Sequence, residues 1–308
     1  MSARRTHAEE TRLMPARSWL FVPGDSERKQ VKGVESSADA LILDLEDSVA
    51  PSRREGARQL IRGLLDGRRE GREPQLWVRV NALGSGQLLD DLIAVVGGAP
   101  DGIVLPKVSS TAEIAEVHHY LSVLERREGI DSRPARLLVI ATETPRALLD
   151  MSGYAQPPGR LAALAWGAED LSAALGARGR TEADGSSSFT FELARSLCVL
   201  AAAAAGVQAV DGVHAQFRDA PGLEQELARA RRDGFTGKLA IHPDQVEAIN
   251  IAFTPSETEL DQARRIVAAF AASPDVGVTS VDGRMIDRPH LVQAQRLLAA
   301  AERLLHRS

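Results

Sequence analysis

Cysteine is almost missing from this sequence: Cys198 stands alone among 308 residues. That excludes an internal disulfide and a cysteine-rich metal cage, and it fits a reducing compartment, so the expected location is cytoplasmic. Lysine is scarce as well. Of 37 basic residues only Lys29, Lys32, Lys107 and Lys238 are lysines, which shortens any search for a Schiff-base nucleophile. Nor is there a surplus of positive charge. A net charge of -5 and a pI near 5.9 argue against a nucleic-acid partner, which would need a basic face. Long apolar runs are absent too: Val199 to Ala205, after Leu197-Cys198, is Ala-rich and too short to span a bilayer, so no membrane association is expected. The first sixteen residues, Met1 to Ala16, are polar and Arg-rich with no apolar segment, and read as a disordered tail with no signal peptide. Finally, no strand is followed by a Gly-x-Gly-x-x-Gly turn and there is no P-loop, which withdraws support from nucleotide-binding open sheets.

What is present is a series of short apolar runs separated mainly by helical patterns. Ser18–Val22, Ala40–Leu45, Leu76–Val80, Gly102–Leu105, Leu137–Ala141, Leu161–Ala165, Val207–Val213 and Leu239–Ile241 all read as strands. Between them, Ser52–Leu65, Leu88–Val96, Ser109–Arg127, Phe189–Ala205 and Leu223–Arg232 carry helical spacing. Eight strands alternating with helices between residues 18 and 243 predict an α/β fold, a (β/α)8 TIM-type barrel, with a doubly wound open sheet as the alternative. Beyond it, Pro255–Ala272 and Pro289–Leu305 predict a C-terminal helical extension. The polar stretch Gly179–Ser188 reads as a mobile loop over one face.

In such a barrel the polar residues just past the strands converge on one face. Here they are Asp44, Glu46, Arg79, Asn81, Lys107, Glu143, Asp170, Asp211 and His242. The run Ala40-Leu-Ile-Leu-Asp-Leu-Glu-Asp47 stands out, because acids rarely end a buried strand for packing reasons. A metal or proton-transfer site at Asp44, Glu46 and Asp47 is the first reading; Asp47 alone suits a helix cap. Excess carboxylates without clustered His or Cys favour a hard divalent cation, Mg2+ or Mn2+, over zinc. Arg79 reads equally as the partner of an acid and as a holder of a developing enolate oxygen. Glu143 and Asp170, taken singly, suit first-turn acids or helix caps. Structural pairing is expected of Lys107, burial of Cys198, and loop positioning of His242.

Taken together, these strand-end residues resemble the citrate lyase β-subunit-like enzymes, which include malyl-CoA and citramalyl-CoA lyases. The resemblance runs from residue 17 to about residue 303. It rests on Arg17-Ser-Trp-Leu-Phe-Val-Pro-Gly24, Glu27-Arg28 with Lys32, Leu43-Asp-Leu-Glu-Asp-Ser-Val-Ala-Pro51 and Arg79-Val-Asn81. It continues through Leu105-Pro-Lys107, Glu143-Thr144, Gly167-Ala-Glu-Asp-Leu171, Asp211-Gly-Val213, the segment from Gly234 to Gln245, and Gly283-Arg-Met-Ile-Asp287.

The resemblance implies an Mg2+-dependent carbon–carbon lyase or synthase that passes a 3-hydroxyacyl-CoA thioester to or from acetyl-CoA and a 2-oxo acid. It implies Mg2+ on Glu143 and Asp170, with Mn2+ as a substitute, and Arg79 facing the thioester oxygen. Asp44 and Glu46 then become neighbours that orient Arg79 and metal-bound water. Phe21, Arg28 and Lys32 match a CoA-contacting set, and Asp287 matches a catalytic aspartate contributed to a neighbouring subunit's site. A homotrimer or hexamer is implied, with residues 1–16 as tail, 17–254 as barrel, and 255–308 packing on or over a neighbour. The alternatives are a CoA-independent aldolase, a CoA thioesterase, or a citrate lyase complex subunit acting on an acyl-carrier protein. Where many relatives carry a glycine soon after the Glu143 motif, this chain has Pro145-Arg146, which is expected to reshape the oxo-acid pocket.

Overall fold

In the computed structural model, which describes residues 15–68, 74–130, 134–157, 159–273 and 276–305, the eight apolar runs form a closed parallel barrel. In chain order the elements are β1 (Ser18–Pro23), α1 (Glu27–Val34), β2 (Ala40–Asp44), α2 (Arg54–Asp66), β3 (Gln75–Arg79), α3 (Leu88–Val95), β4 (Gly102–Leu105) and α4 (Thr111–Glu128). Then follow β5 (Arg136–Ile140), α5 (Pro145–Leu149), β6 (Leu161–Ala165), α6 (Glu169–Leu175), α7 (Phe189–Ala205), β7 (Gln208–Asp211), α8 (Ala220–Asp233), β8 (Gly237–Ala240) and α9 (Val246–Ala252). β1 pairs with β8 and closes the ring.

Alternation along the strands decides what faces inward. Trp19, Ala40, Ile42, Trp77, Val104, Leu138, Ile140, Ala163, Ala165, Val210 and Leu239 form one buried cluster, recurring at every second position within a strand. Trp19 and Trp77 meet edge to face at 5.0 Å inside it. The same parity carried forward brings Phe21, Asp44 and Arg79 to the C-terminal mouth, Asp44 lying in register with Arg79. The intervening residues, such as Leu41, Leu43 and Val78, are buried in the layer beneath the helices.

One detail departs from the sequence reading. Ala16, assigned there to the tail, is fully buried, and its carbonyl accepts from Trp19 Nε1 at 3.0 Å and Gln208 Nε2 at 2.7 Å. The rest of that tail, residues 1–14, lies outside the described residues. Ser26 occupies the N-cap of α1 without a side-chain cap bond, and Asp25 instead pairs with Arg53 at 3.3 Å.

The chain divides into two compact units, residues 1–250 and 251–308. In the second, α10 (Glu257–Ala272) begins at a capping box between Ser256 and Glu259. It is followed by an antiparallel hairpin, β9 (Val278–Val281) and β10 (Arg284–Asp287), and by α11 (Arg288–Leu305). Ile266, Phe270, Ile286 and Ala294 form its own apolar centre. The hairpin lies between the two helices expected in the C-terminal extension and is an addition to the strands read from the sequence. No helix among the described residues is long and apolar enough to cross a membrane.

Packing inside the barrel offers a direct check. A Cβ on Gly102 would lie 2.2 Å from the Trp77 ring, so Gly102→Ala forces the indole to shift against Trp19. The expected loss is about 1–3 kcal/mol, read as a lowered urea midpoint with tryptophan fluorescence as the probe. An unchanged midpoint would mean that the ring moves aside freely.

Candidate active site

At the C-terminal mouth the strand ends enclose a cavity of about 690 Å3. Its lining includes Phe21, Asp44, Arg79, Glu143, Asp170 and Asp211. β2 and β3 supply a charge pair held at two points. Asp44 Oδ1 accepts from Arg79 Nε at 2.6 Å and Oδ2 from Nη2 at 2.7 Å, a two-point contact that fixes the plane of the guanidinium. Phe21 lies under the same group, 4.8 Å from ring centroid to Cζ. Burial alone would push the Asp44 carboxyl up. The Arg79 hydrogen bond and charge, with Ser48 and the Glu46 amide, outweigh burial and hold Asp44 below the usual range. Arg79 is displaced upward: burial opposes its charge, but the hydrogen bond and charge of Asp44, with Glu46 and Asp47, overcome that.

Glu46 continues the acidic strand end. Its Oε2 lies 3.0 Å from Arg79 Nη1 but is buried without a hydrogen bond, while Oε1 receives Lys107 Nζ at 2.5 Å. Burial pushes this carboxyl up, against the charge of Arg79 and the hydrogen bond from Lys107. Asp47 is not a helix cap, contrary to the sequence reading; its carboxylate receives Lys107 Nζ at 3.0 Å and 3.2 Å. Lys107 itself follows β4 and takes the left-handed conformation, φ 54°, which costs a residue with a Cβ about 1–2 kcal/mol.

The other half of the mouth comes from β5 and β6. Thr142 clasps the two strand ends together: its hydroxyl donates to the Gly167 carbonyl at 3.1 Å and accepts from the Gly167 amide at 2.9 Å. A Cβ on Gly167 would sit 3.0 Å from Glu143 Cγ and from Ile140 Cγ2, so glycine lets the two loops approach. Glu143 is buried and is not the cap of α5; Thr144 takes that position, accepting from the Ala147 amide, with Pro145 in the first turn. Glu143 Oε2 accepts from the Lys107 amide at 2.5 Å. Burial is the main cause that pushes its carboxyl up to about 8, aided by the charges of Asp170 and Glu46. Asp170 stands in the first turn of α6, 3.4 Å from Lys107 Nζ.

The donor chemistry suits a hard divalent cation. Five acids (Asp44, Glu46, Asp47, Glu143 and Asp170) gather around two cations, Arg79 and Lys107. Among the described residues no set of three or more His, Cys, Asp or Glu forms a closed ligand cage. Mg2+ asks for one or two carboxylates and completes its shell with water and substrate oxygen, and Glu143 with Asp170 offers that number.

The remaining expected residues are placed as follows. Arg28 and Lys32 are exposed on α1, one turn apart and outside the cavity lining. Asp287 ends β10 in the second unit, where its carboxylate is bonded to the His290 ring and held below the usual range by that bond. Asn81 binds the Leu45 carbonyl and Asp91, a structural role. His242 caps a short turn by accepting from the Asp244 amide, as its loop-positioning reading anticipated. Cys198 is buried in α7, and burial raises its thiol.

The sequence placed Asp211 at this mouth but left its partners unread. Asp211, at the end of β7, accepts from Trp166 Nε1 at 2.7 Å, Arg195 Nε at 3.0 Å and Lys238 Nζ at 3.0 Å. Lys238 also meets Glu226 at 3.0 Å, and Glu226 bonds His214 Nδ1 at 2.9 Å. Burial would raise Asp211, but Lys238 and Arg195 outweigh it and lower the carboxyl. The available signal was Arg195, an arginine set within the apolar run of α7.

Fold and site together define a TIM-type barrel with an acidic, arginine-bearing mouth. The model of the HpcH/HpaI aldolase/citrate lyase family matches residues 17–243, and the chain belongs to that family. It is 37% identical over 290 residues to a (3S)-malyl-CoA thioesterase of Cereibacter sphaeroides, covering 94% of this chain and 95% of the relative. It is 34% identical over 296 residues to the citrate lyase subunit beta of Escherichia coli, covering 96% of each. Among solved structures, CitE from Mycobacterium tuberculosis in complex with magnesium, acetoacetate and coenzyme A superposes with a TM-score of 0.75 at 33% identity. That match covers 94% of this chain and 100% of that one.

Were Glu143 to hold a cation, its raised carboxyl would make that binding pH-dependent. Below about pH 8 the group carries a proton that a cation bound there would have to displace. Apparent Mg2+ affinity is expected to rise roughly tenfold per pH unit over the two units below that point, then level off. Calorimetry in buffers of differing ionisation enthalpy would count the released proton. A flat profile with no proton released would remove Glu143 from the ligand set.

Proposed function

We propose that this chain is a Mg2+-dependent carbon–carbon lyase or synthase acting on a short 3-hydroxyacyl-CoA thioester of the malyl-CoA or citramalyl-CoA type. The observation that carries this reading is the meeting, at one barrel mouth, of the buried Glu143 and the nearby Asp170 with an arginine locked by Asp44. CitE from Mycobacterium tuberculosis has been crystallised with magnesium and coenzyme A, which supports the same two ligands here. Glu143 and Asp170 hold the ion, which supplies Lewis-acid polarisation of the 2-oxo acid.

In the condensing direction Asp287 takes a proton from the methyl group beside the thioester carbonyl. Charge builds on the thioester oxygen, where Arg79 stabilises it from a position that Asp44 fixes in advance. The enolate carbon attacks the carbonyl of the 2-oxo acid, one carbon–carbon bond forms, and the new alkoxide takes up a proton. Cleavage runs the same steps backward. Phe21, Arg28 and Lys32 contact CoA, the two exposed cations on α1 suiting its phosphates. Asp287 serves the site of a neighbouring subunit in a homotrimer or hexamer.

A second reading, hydrolysis of the thioester, is favoured by the Cereibacter sphaeroides relatives described as (3S)-malyl-CoA thioesterases. A single assay separates the two. The purified protein is incubated with Mg2+ and malyl-CoA or citramalyl-CoA, and both free thiol and 2-oxo acid are followed. The lyase releases 2-oxo acid and acetyl-CoA without free thiol; the thioesterase releases free CoA and no 2-oxo acid.

Glu143→Ala and Asp170→Ala are expected to abolish the Mg2+-dependent turnover, and Arg79→Lys to lower kcat by roughly 10²–10³. Full rates in either acid variant would refute the ligand assignment. Mixing an Asp287→Ala chain with an Arg79→Ala chain is expected to restore activity in mixed oligomers. No recovery, with mixed oligomers demonstrated by mass, would place Asp287 in its own chain's site.

A further inference from the structure

One residue reaches both carboxyls assigned above to the ion. The Lys107 amide donates to Glu143 Oε2 at 2.5 Å, and its ammonium lies 3.4 Å from Asp170 Oδ1. The same ammonium sits 2.5 Å from Glu46 Oε1 and 3.0 Å from Asp47 Oδ1. The left-handed backbone at Lys107, φ 54°, accompanies this double reach. Its main chain meets one acid while the side chain crosses to three others. Nothing in this arrangement resembles a nucleophilic lysine, since the ammonium is surrounded by acids and not by an apolar pocket.

We propose that Lys107 is the built-in counter-ion of the acidic mouth, its ammonium resting on Asp170, Glu46 and Asp47 until a divalent cation takes Asp170. The inference rests on the reading that Glu143 and Asp170 hold the ion. An ammonium and a divalent cation cannot share the Asp170 carboxylate at close range without strong repulsion. The Asp170 contact is the longest of the three and its carboxylate is half-buried, so it yields first. Glu46 and Asp47 remain as partners, and the ammonium contracts from three acids to two. Lys107 thereby sets the affinity of the site: it steadies the acids without an ion and works against the ion when one arrives.

The test compares wild type, Lys107→Met, Glu143→Gln and Asp170→Asn by electron paramagnetic resonance of free Mn2+, together with thermal unfolding of the metal-free proteins. Lys107→Met is expected to bind Mn2+ about tenfold more tightly, to melt at a lower temperature without metal, and to gain more from added Mn2+ than wild type does. Unchanged or weaker Mn2+ binding by a folded Lys107→Met would overturn the proposal, because a lysine that merely orients Asp170 predicts weakening. If the methionine variant does not fold, Lys107→Gln serves the same comparison. Equal Mn2+ binding by wild type, Glu143→Gln and Asp170→Asn would instead reject the ligand assignment, and the counter-ion role with it. Loss of binding in those two variants with no change in Lys107→Met would reject the counter-ion role alone.

Discussion

The contact on which the mouth of this barrel depends is the two-point bond between Asp44 and Arg79. Both side chains are almost fully buried, and either charge left alone there would be strongly destabilising. The barrel solves this by register: the two residues are direct partners across the β2–β3 ladder, so closing the strands also closes the pair. Phe21 beneath the guanidinium and Glu46 beside it then have a fixed object to pack against. The arginine is thus placed by the sheet itself, and loop conformation has little say in where it points.

The opposite wall follows another logic. Asp211 collects three donors from β6's loop, α7 and β8, and each charge in that group has a partner of the other sign. This wall is closed on itself. The β2–β5 side is left with more acids than cations, and that imbalance, more than the shape of the cavity, marks where a positively charged ligand belongs.

Much of this was legible in the residues. The strands announced themselves because each is a short apolar run bounded by turn residues, and the barrel because such runs alternate with helices. Asp44 and Arg79 could be named from strand ends, since inward parity is a property of the chain alone. Glu143 and Asp170 were ambiguous by pattern, as first-turn acids look the same whether or not they bind anything; only the family resemblance implied a ligand role for them. The reach of Lys107 to Glu46 spans 61 positions and two intervening strands, and no spacing rule encodes it. The short β10 escaped for a different reason: among its four residues only Ile286 is buried, too little alternation to separate a strand from a linker. Asp47 misled because an acid after a strand commonly caps a helix, whereas here a cation from β4 claims it first.

The burial of Glu143 carries a consequence for how this protein folds. With its carboxyl pushed up to about 8, the group enters the barrel near neutral pH mostly as an uncharged acid. The chain need not strip water from one more anion while the strands close. The folded state is therefore less electrically strained than the count of acids at its mouth suggests.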